Sequence, residues 1–460
     1  MFRLVEVGKL AAPLAMAQFA QSIMVFSDTV ILGLIGIDAL AGGSLGALIY
    51  QFFLLIFSGI FFAAANETAV LHGKRNFPAI TRLLKAGSVL CIGFTVLVWL
   101  LIEFIPMLLP HIGQTENNIT TASEYLDAAN WISLPAFAFM LLRCIASGLG
   151  ITQPIMKIML VCALMNVPIS YVLGCGLYGF EGYGISGVAW ATALMTYTML
   201  FWLGFELLQH PTTRSILANW KRSHSTRQDY AIFWSLGVPI ALAIIMEMGL
   251  FTSASLLAGT LGTLALAANQ ICLNIATVSF NIYIGIAQAT AIKVGFNYGL
   301  SQSPEQGDPK AIESARRYGR AGLKLGLITA SVSATLMFFF PELWVKLFTL
   351  NSTESRLDEL MVLAASLLGV AALFQLADCS QVIAMHALRA FKLGTSPTLI
   401  SIFGYWVIGF PAAWLLKDEF GLIGIWSGMG AGLLFTAITL TLLLERTATQ
   451  KARSIMECTT

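Results

Sequence analysis

Charge is what this 460-residue chain has little of: only 11% of its residues are Asp, Glu, Lys or Arg, while 57% are hydrophobic. Soluble chains average about 25% charged and roughly 45–50% apolar. The polar surface that a water-soluble fold of this size needs is therefore missing. That excludes soluble multidomain enzymes, disordered chains and nucleic-acid modules. Twenty-six basic residues nearly cancel twenty-four acidic ones, leaving +2 and no bulk field to attract a polyanion. Cysteine pairs are also missing. None of Cys91, Cys144, Cys162, Cys175, Cys272, Cys379 and Cys458 forms a C-x-x-C motif, and in apolar runs a lone cysteine reads as a small core residue. HExxH, GxxxxGK[ST] and paired histidines within apolar runs are all absent, so we expect no enzyme and no cofactor.

What is present is a series of long apolar stretches, near 10–35, 40–65, 86–109, 128–149, 155–176, 185–207, 232–258, 264–292, 321–340, 360–386, 395–416 and 421–444. A bilayer span needs about 20 apolar residues, and backbone in hydrocarbon must satisfy its own hydrogen bonds, so these stretches must be helices. The expected fold is all-α, a polytopic membrane protein of twelve transmembrane helices. The N-terminus starts like a signal peptide, but its apolar run is too long, and we expect a retained first span. Of the 26 Lys and Arg residues, 23 fall on one face of the membrane. They include Arg143 and Lys157 in the turn between spans 4 and 5, Arg222 in the central loop, and Arg389 and Lys392 between spans 10 and 11. Only Lys346, Arg356 and Lys417 lie opposite. Positive residues stay inside, which puts both termini in the cytoplasm and the chain in a plasma (inner) membrane.

The sequence repeats itself. At an offset of 226, Pro13 meets Pro239, Ala15 meets Ala241, Gly33 meets Gly259, Gly59 meets Gly285 and Gly73 meets Gly299; later, an offset of 243 pairs Pro154 with Pro397 and Pro168 with Pro411. Six spans per unit is an even number, so both units enter the membrane in the same sense, the parallel-repeat plan of secondary transporters. We expect an N-terminal six-helix lobe over 1–208, a polar linker over 209–231, a C-terminal lobe over 232–446 and a tail over 447–460. Rocking of the lobes around a cleft would then alternate access.

A charge at mid-bilayer costs about 2.5–3.5 kcal/mol even on insertion scales, so intramembrane acids are candidates for function. Glu67, Glu206 and Glu445 read as solvated helix-end charges. Asp28 in span 1, Glu247 in span 7 and Asp378 in span 10 lie deep, and no Lys or Arg is expected near their depth. At offset 226 Glu247 falls on Gln21, seven positions before Asp28, so both acids lie on the corresponding helix face, about 10 Å apart in depth. Asn166, Ser170, Thr192, Asn274 and Gln375 are the polar residues expected to support them; lone intramembrane amides are more often interhelical glue.

Pro13 to Thr29 with Asp28 before the threonine, Glu247 in span 7, and Gln375-x-x-Asp378-x-x-Gln381-Val382 followed by Leu388-Arg389-Ala390 resemble the multidrug and toxic compound extrusion family, NorM-type branch. Pro154, Asn166 and Pro168 add to the likeness, which spans almost the whole chain. The resemblance implies a monomeric antiporter that exports small amphipathic organic cations against inward Na⁺ or H⁺. It implies a C-terminal ion site at Glu247 and Asp378, where Na⁺ would be the metal, and an N-terminal site at Asp28 with Asn166 and Thr192. The chain departs from the family pattern at Ser170, often Asn or Asp, and at Phe374, where an aromatic hydroxyl is common. The alternative is a lipid-linked precursor flippase or exporter, which would need cationic cavity residues.

Overall fold

The computed structural model describes residues 2–177, 180–218, 220–221, 223–303, 307–349 and 357–457; Arg222, Arg356 and Cys458 lie outside them. In chain order the helices are α1 (Phe2–Ile35), α2 (Ser44–Gly73), α3 (Phe77–Leu108), α4 (Glu116–Gly148), α5 (Gln153–Cys175), α6 (Gly184–Gln209), α7 (Pro211–Ala218) and α8 (Arg227–Ile232). They continue as α9 (Val238–Thr260), α10 (Thr263–Leu300), α11 (Ala311–Phe339), α12 (Pro341–Thr349), α13 (Leu357–Ala390), α14 (Thr395–Ile402) and α15 (Phe410–Glu457).

Among the described residues, eleven helical stretches are long and apolar enough to cross a membrane. The last, Thr395–Ser454, runs for 60 residues and holds both of the final spans read from the sequence. Within it Gly421 adopts φ 57 and ψ −133, where two helices merge across a kink. A side chain there would be strained, so glycine makes the bend.

Local sequence sets the helix ends. Asn76 caps α3 by accepting from the Ala79 amide at 3.2 Å, and Thr226 with Asp229 forms a capping box on α8. Pro239 and Pro411 each follow a widened π turn, Phe233–Gly237 and Phe403–Gly409. The wider turn relieves the clash of the proline ring with the preceding carbonyl. Their repeat counterparts Pro13 and Pro168 sit inside uninterrupted helix.

Two compact units divide the chain: Met16–Ala241, and Met1–Ala15 together with Leu242–Thr460. The division falls at Ala15 and Ala241, which the repeat pairs, rather than in the polar segment 209–231. Within the first unit an aromatic cluster of Phe61, Phe94, Phe137 and Phe233 fills the core. Within the second, Phe374 packs on Trp426 at 5.4 Å and on Phe251 at 6.0 Å. The start of α1 is tied into that second unit: Arg3 donates to Ser314 at 3.4 Å, and Glu6 accepts from the Tyr318 hydroxyl and pairs with Lys293 at 3.7 Å.

Lipid is as apolar as a leucine side chain, so helices in a membrane associate by close packing at small residues. The same close approach occurs once in each unit. A Cβ on Gly59 would stand 2.9 Å from the Ala241 Cα, and one on Gly285 would stand 2.7 Å from the Ala15 backbone nitrogen. Both partners of each contact are repeat equivalents.

Candidate functional site

In the first unit the carboxylate of Asp28, on α1, is the focus of three helices. Asn166 Nδ2 and Ser170 Oγ, one turn apart on α5, donate to Asp28 Oδ1 at 2.7 and 3.0 Å. Thr192 Oγ1, on α6, donates to Oδ2 at 2.6 Å. Asp28, Asn166 and Ser170 are buried. Four residues singled out in the sequence therefore meet at one carboxylate. Ser170, the departure from the family pattern, supplies a hydroxyl donor there. Three donors on one carboxylate fix its orientation.

Asp28 and Thr192 line a cavity of about 410 Å³ within this unit, together with Tyr50, Gln51, Gln18 and Arg143. That volume suits a drug-sized ligand. Arg143 corrects an expectation. It was assigned to a solvated turn, but it lies inside α4, is 5% exposed, and donates to Gln18 Oε1 on α1 at 2.5 Å.

In the second unit Glu247 on α9 and Asp378 on α13 interact electrostatically. Glu247 Oε1 and Asp378 Oδ1 are enclosed and have no hydrogen-bond partner among the described residues. Both amide atoms of Gln375 and of Gln381, on the same helix as Asp378, are in the same condition. The spacing 375, 378, 381 keeps these groups on one side of α13. Two carboxylates with amide carbonyls beside them suit a proton or a monovalent cation. The described residues hold no cluster of three or more His, Cys, Asp or Glu.

Arg389 is the second correction. It too was assigned to a turn, but it is 5% exposed at the end of α13, and its charge reaches Glu247. The acids therefore do have a basic neighbour. Tyr283 and Tyr405 also lie within electrostatic reach of Asp378. These two, on α10 and in the π turn before α15, were missed. The sequence drew attention instead to Phe374 as a lost hydroxyl. The signal for Arg389 was its place eleven residues after Asp378, three turns along the same helix face.

Other expectations divide. Asn274 is exposed on α10, whereas Asn269, five residues earlier, accepts from Trp426 Nε1 at 2.9 Å and donates to Ser255 at 3.1 Å as interhelical glue. Glu67, expected at a solvated helix end, is 4% exposed. Glu445 does sit in a basic cluster, bonded to Arg320 at 2.6 and 2.8 Å and to Arg316 at 3.1 Å.

The MatE family model matches residues 13–172 and 239–415, two segments that begin at the paired prolines. The chain is 33% identical over 439 residues to the probable multidrug resistance protein NorM of Pseudomonas syringae pv. tomato, covering 95% of this chain and 93% of that one. It is 30% identical over 440 residues to the multidrug resistance protein NorM of Burkholderia vietnamiensis, covering 94% and 92%. The fold is similar to an outward-facing multidrug resistance MATE family transporter (TM-score 0.82, 17% identity, 98% and 97% covered). It is similar as well to a eukaryotic MATE transporter (TM-score 0.78, 16% identity, 98% and 99% covered). The chain thus belongs to the MatE family, and it is an integral membrane transporter rather than an enzyme.

Proposed function

We propose that the protein is a secondary multidrug efflux antiporter that exports amphipathic organic cations against inward Na⁺ or H⁺. The observation that carries this reading is the presence of a buried acidic centre in each unit, Asp28 with its three donors and the Glu247–Asp378 pair. Intramembrane carboxylates mark ion and substrate pathways. Glu247 and Asp378 interact closely enough that they titrate, or bind an ion, as one site. Cation binding removes their mutual repulsion and lets α9 and α13 draw together, and that movement drives substrate release. Asp28, enclosed by donors at the rim of a cavity, serves the positive end of the substrate.

On this reading the chain has twelve spans in two parallel six-helix repeats, cytoplasmic termini in an inner membrane, and works as a monomer. The linker 209–231 joins the two lobes. Alternating access then follows from motion of one repeat against the other. A lipid-linked precursor, which carries phosphates, is the poorer fit, because the cavity is lined by a carboxylate as well as by its single arginine. The test is reconstitution in liposomes with a Na⁺ gradient and a pH gradient imposed separately, following uptake of a fluorescent organic cation. Uptake driven by one gradient supports the reading; uptake driven by neither, or uptake of anions alone, overturns it.

A further inference from the structure

The start of α11 and the end of α15 carry more positive charge than they use. Over 313–324 and 442–446, the cations Arg316, Arg317, Arg320, Lys324 and Arg446 stand with only two acids, Glu313 and Glu445. Glu445 is engaged by Arg316 and Arg320, which ties α15 to α11. Glu313 pairs with Arg316 and Arg317 within its own helix. Both acids are committed, and the cations outnumber them by three. Among the described residues, Lys324 and Arg446 pair with no acid. Arg320 spends Nε and Nη2 on Glu445, which leaves its Nη1 donors for another acceptor.

These cations share a surface. Steps of three and four from Arg317 to Arg320 to Lys324 set them on one face of α11, and all three are exposed. The same face continues through Leu327, Ile328 and Val332, exposed and apolar. On α15, Leu442 and Ile438 are exposed one and two turns before the exposed Arg446. Each helix thus shows an apolar outer surface that ends in cations, and the Glu445 bridge puts the two ends at one level. Apolar surface below and unanswered cations above complement a phospholipid, with acyl chains along the first and phosphate at the second.

The first unit is built the other way. Its third long helix is α3, as α11 is the third of the second repeat. The cations at the start of α3 are answered from inside the protein. Arg82 pairs with Asp229 at 3.5 Å, and Lys85 donates to the Ser223 carbonyl at 2.6 Å and lies over the Trp220 ring at 5.0 Å. The polar segment 209–231 supplies all three partners. At Lys324 and Arg446 no described segment does so, and the bilayer is left to supply the anion.

We propose that the paired ends of α11 and α15 form a binding site for an anionic phospholipid, its headgroup phosphate drawn to Arg317, Arg320, Lys324 and Arg446 and its acyl chains lying on the apolar faces beyond them. The site is independent of the coupling ion and of the transported substrate.

The test uses the purified full-length protein, stripped of lipid in detergent and titrated with phosphatidylglycerol or with phosphatidylcholine of the same chains. Native mass spectrometry gives the dissociation constant of the first lipid bound. Wild type binds phosphatidylglycerol the more tightly. Lys324→Gln with Arg446→Gln weakens phosphatidylglycerol by about twentyfold, at roughly fivefold for each exposed cation, and leaves phosphatidylcholine within about twofold. Lys324→Arg with Arg446→Lys keeps the preference. Lys157→Gln with Arg214→Gln, exposed cations of the first unit, leaves both lipids unchanged. A photoactivatable phosphatidylglycerol needs no variant, and on wild type it labels 317–332 or 438–446. Equal weakening by the two glutamine pairs means a diffuse field and overturns the site. So does equal loss in the charge-conserving pair, which would make the role one of packing. No preference in wild type, labelling confined to other segments, or displacement of the lipid by millimolar inorganic phosphate overturns it as well.

Discussion

The two units handle a buried carboxylate in opposite ways. In the first, Asp28 has three donors from two helices and leaves no oxygen idle. In the second, Glu247 and Asp378 face each other, each with an enclosed oxygen that no described side chain serves. A carboxylate with a full set of fixed donors is held in a set geometry. Two that share a site under mutual repulsion gain by capturing a positive charge. One unit thus holds a carboxylate whose partners are fixed and the other a pair with oxygens left unserved, and at the offset of 226 the acids on α1 and α9 stand seven positions apart.

The largest test of that contrast is loss of the exchanging site. Glu247→Gln and Asp378→Asn should each reduce gradient-driven uptake in liposomes to background, with the double variant little worse than either, because the pair acts as one site. If Asp378→Asn keeps wild-type ion dependence while Glu247→Gln loses it, the paired site is wrong. Next in size is Arg389→Gln. Removing a positive charge near Glu247 should let the pair hold its coupling ion more tightly, lowering the half-saturating ion concentration on the order of tenfold. A rise in that concentration would contradict the electrostatic link between α13 and α9.

Smaller effects sharpen the fixed site. Asp28→Ala strands the donors of Asn166, Ser170 and Thr192, and should cost about 1–3 kcal/mol of stability in a denaturant melt. Asp28→Asn should cost much less. Its carbonyl can still accept from Asn166 and Ser170, and its amide can donate to the Thr192 hydroxyl, which accepts as well as donates. Equal destabilisation by the two variants would mean that the charge, not the hydrogen-bond count, holds the three helices. The smallest effect is expected from Thr192→Val, which removes one donor of three, for about 1 kcal/mol.

Much of this was legible in the sequence. The apolar runs gave the helices because hydrocarbon permits nothing else, and the isolated acids stood out against so little charge. Asn166 and Thr192 were legible as partners of Asp28 through the family pattern, whereas Ser170 was legible only as a polar residue within a span that departs from it. Arg143 and Arg389 were misread for a physical reason. Counting positive residues places them by depth near a helix end, and depth says nothing about which side of the helix faces protein. Where a helix is apolar nearly all round, no periodicity marks its inner face. Tyr283 and Tyr405 escaped for the same reason: an aromatic in such a run reads as packing until tertiary structure puts an acid beside it.

The division of the chain at Ala15 also sets an order of events during synthesis. Residues 1–15 leave the ribosome long before Gly285, Ser314 and Tyr318, against which they pack. Domains otherwise tend to fold from the N-terminus as they emerge. Here the start of α1 must wait with its packing seam uncovered until residues beyond Leu242 arrive. Neither unit can be finished from its own half of the sequence, since the residues from Phe233 to Ala241 likewise complete the first unit from beyond the polar segment 209–231. A chain cut within the linker would give two fragments that reach maturity only by exchanging these end segments.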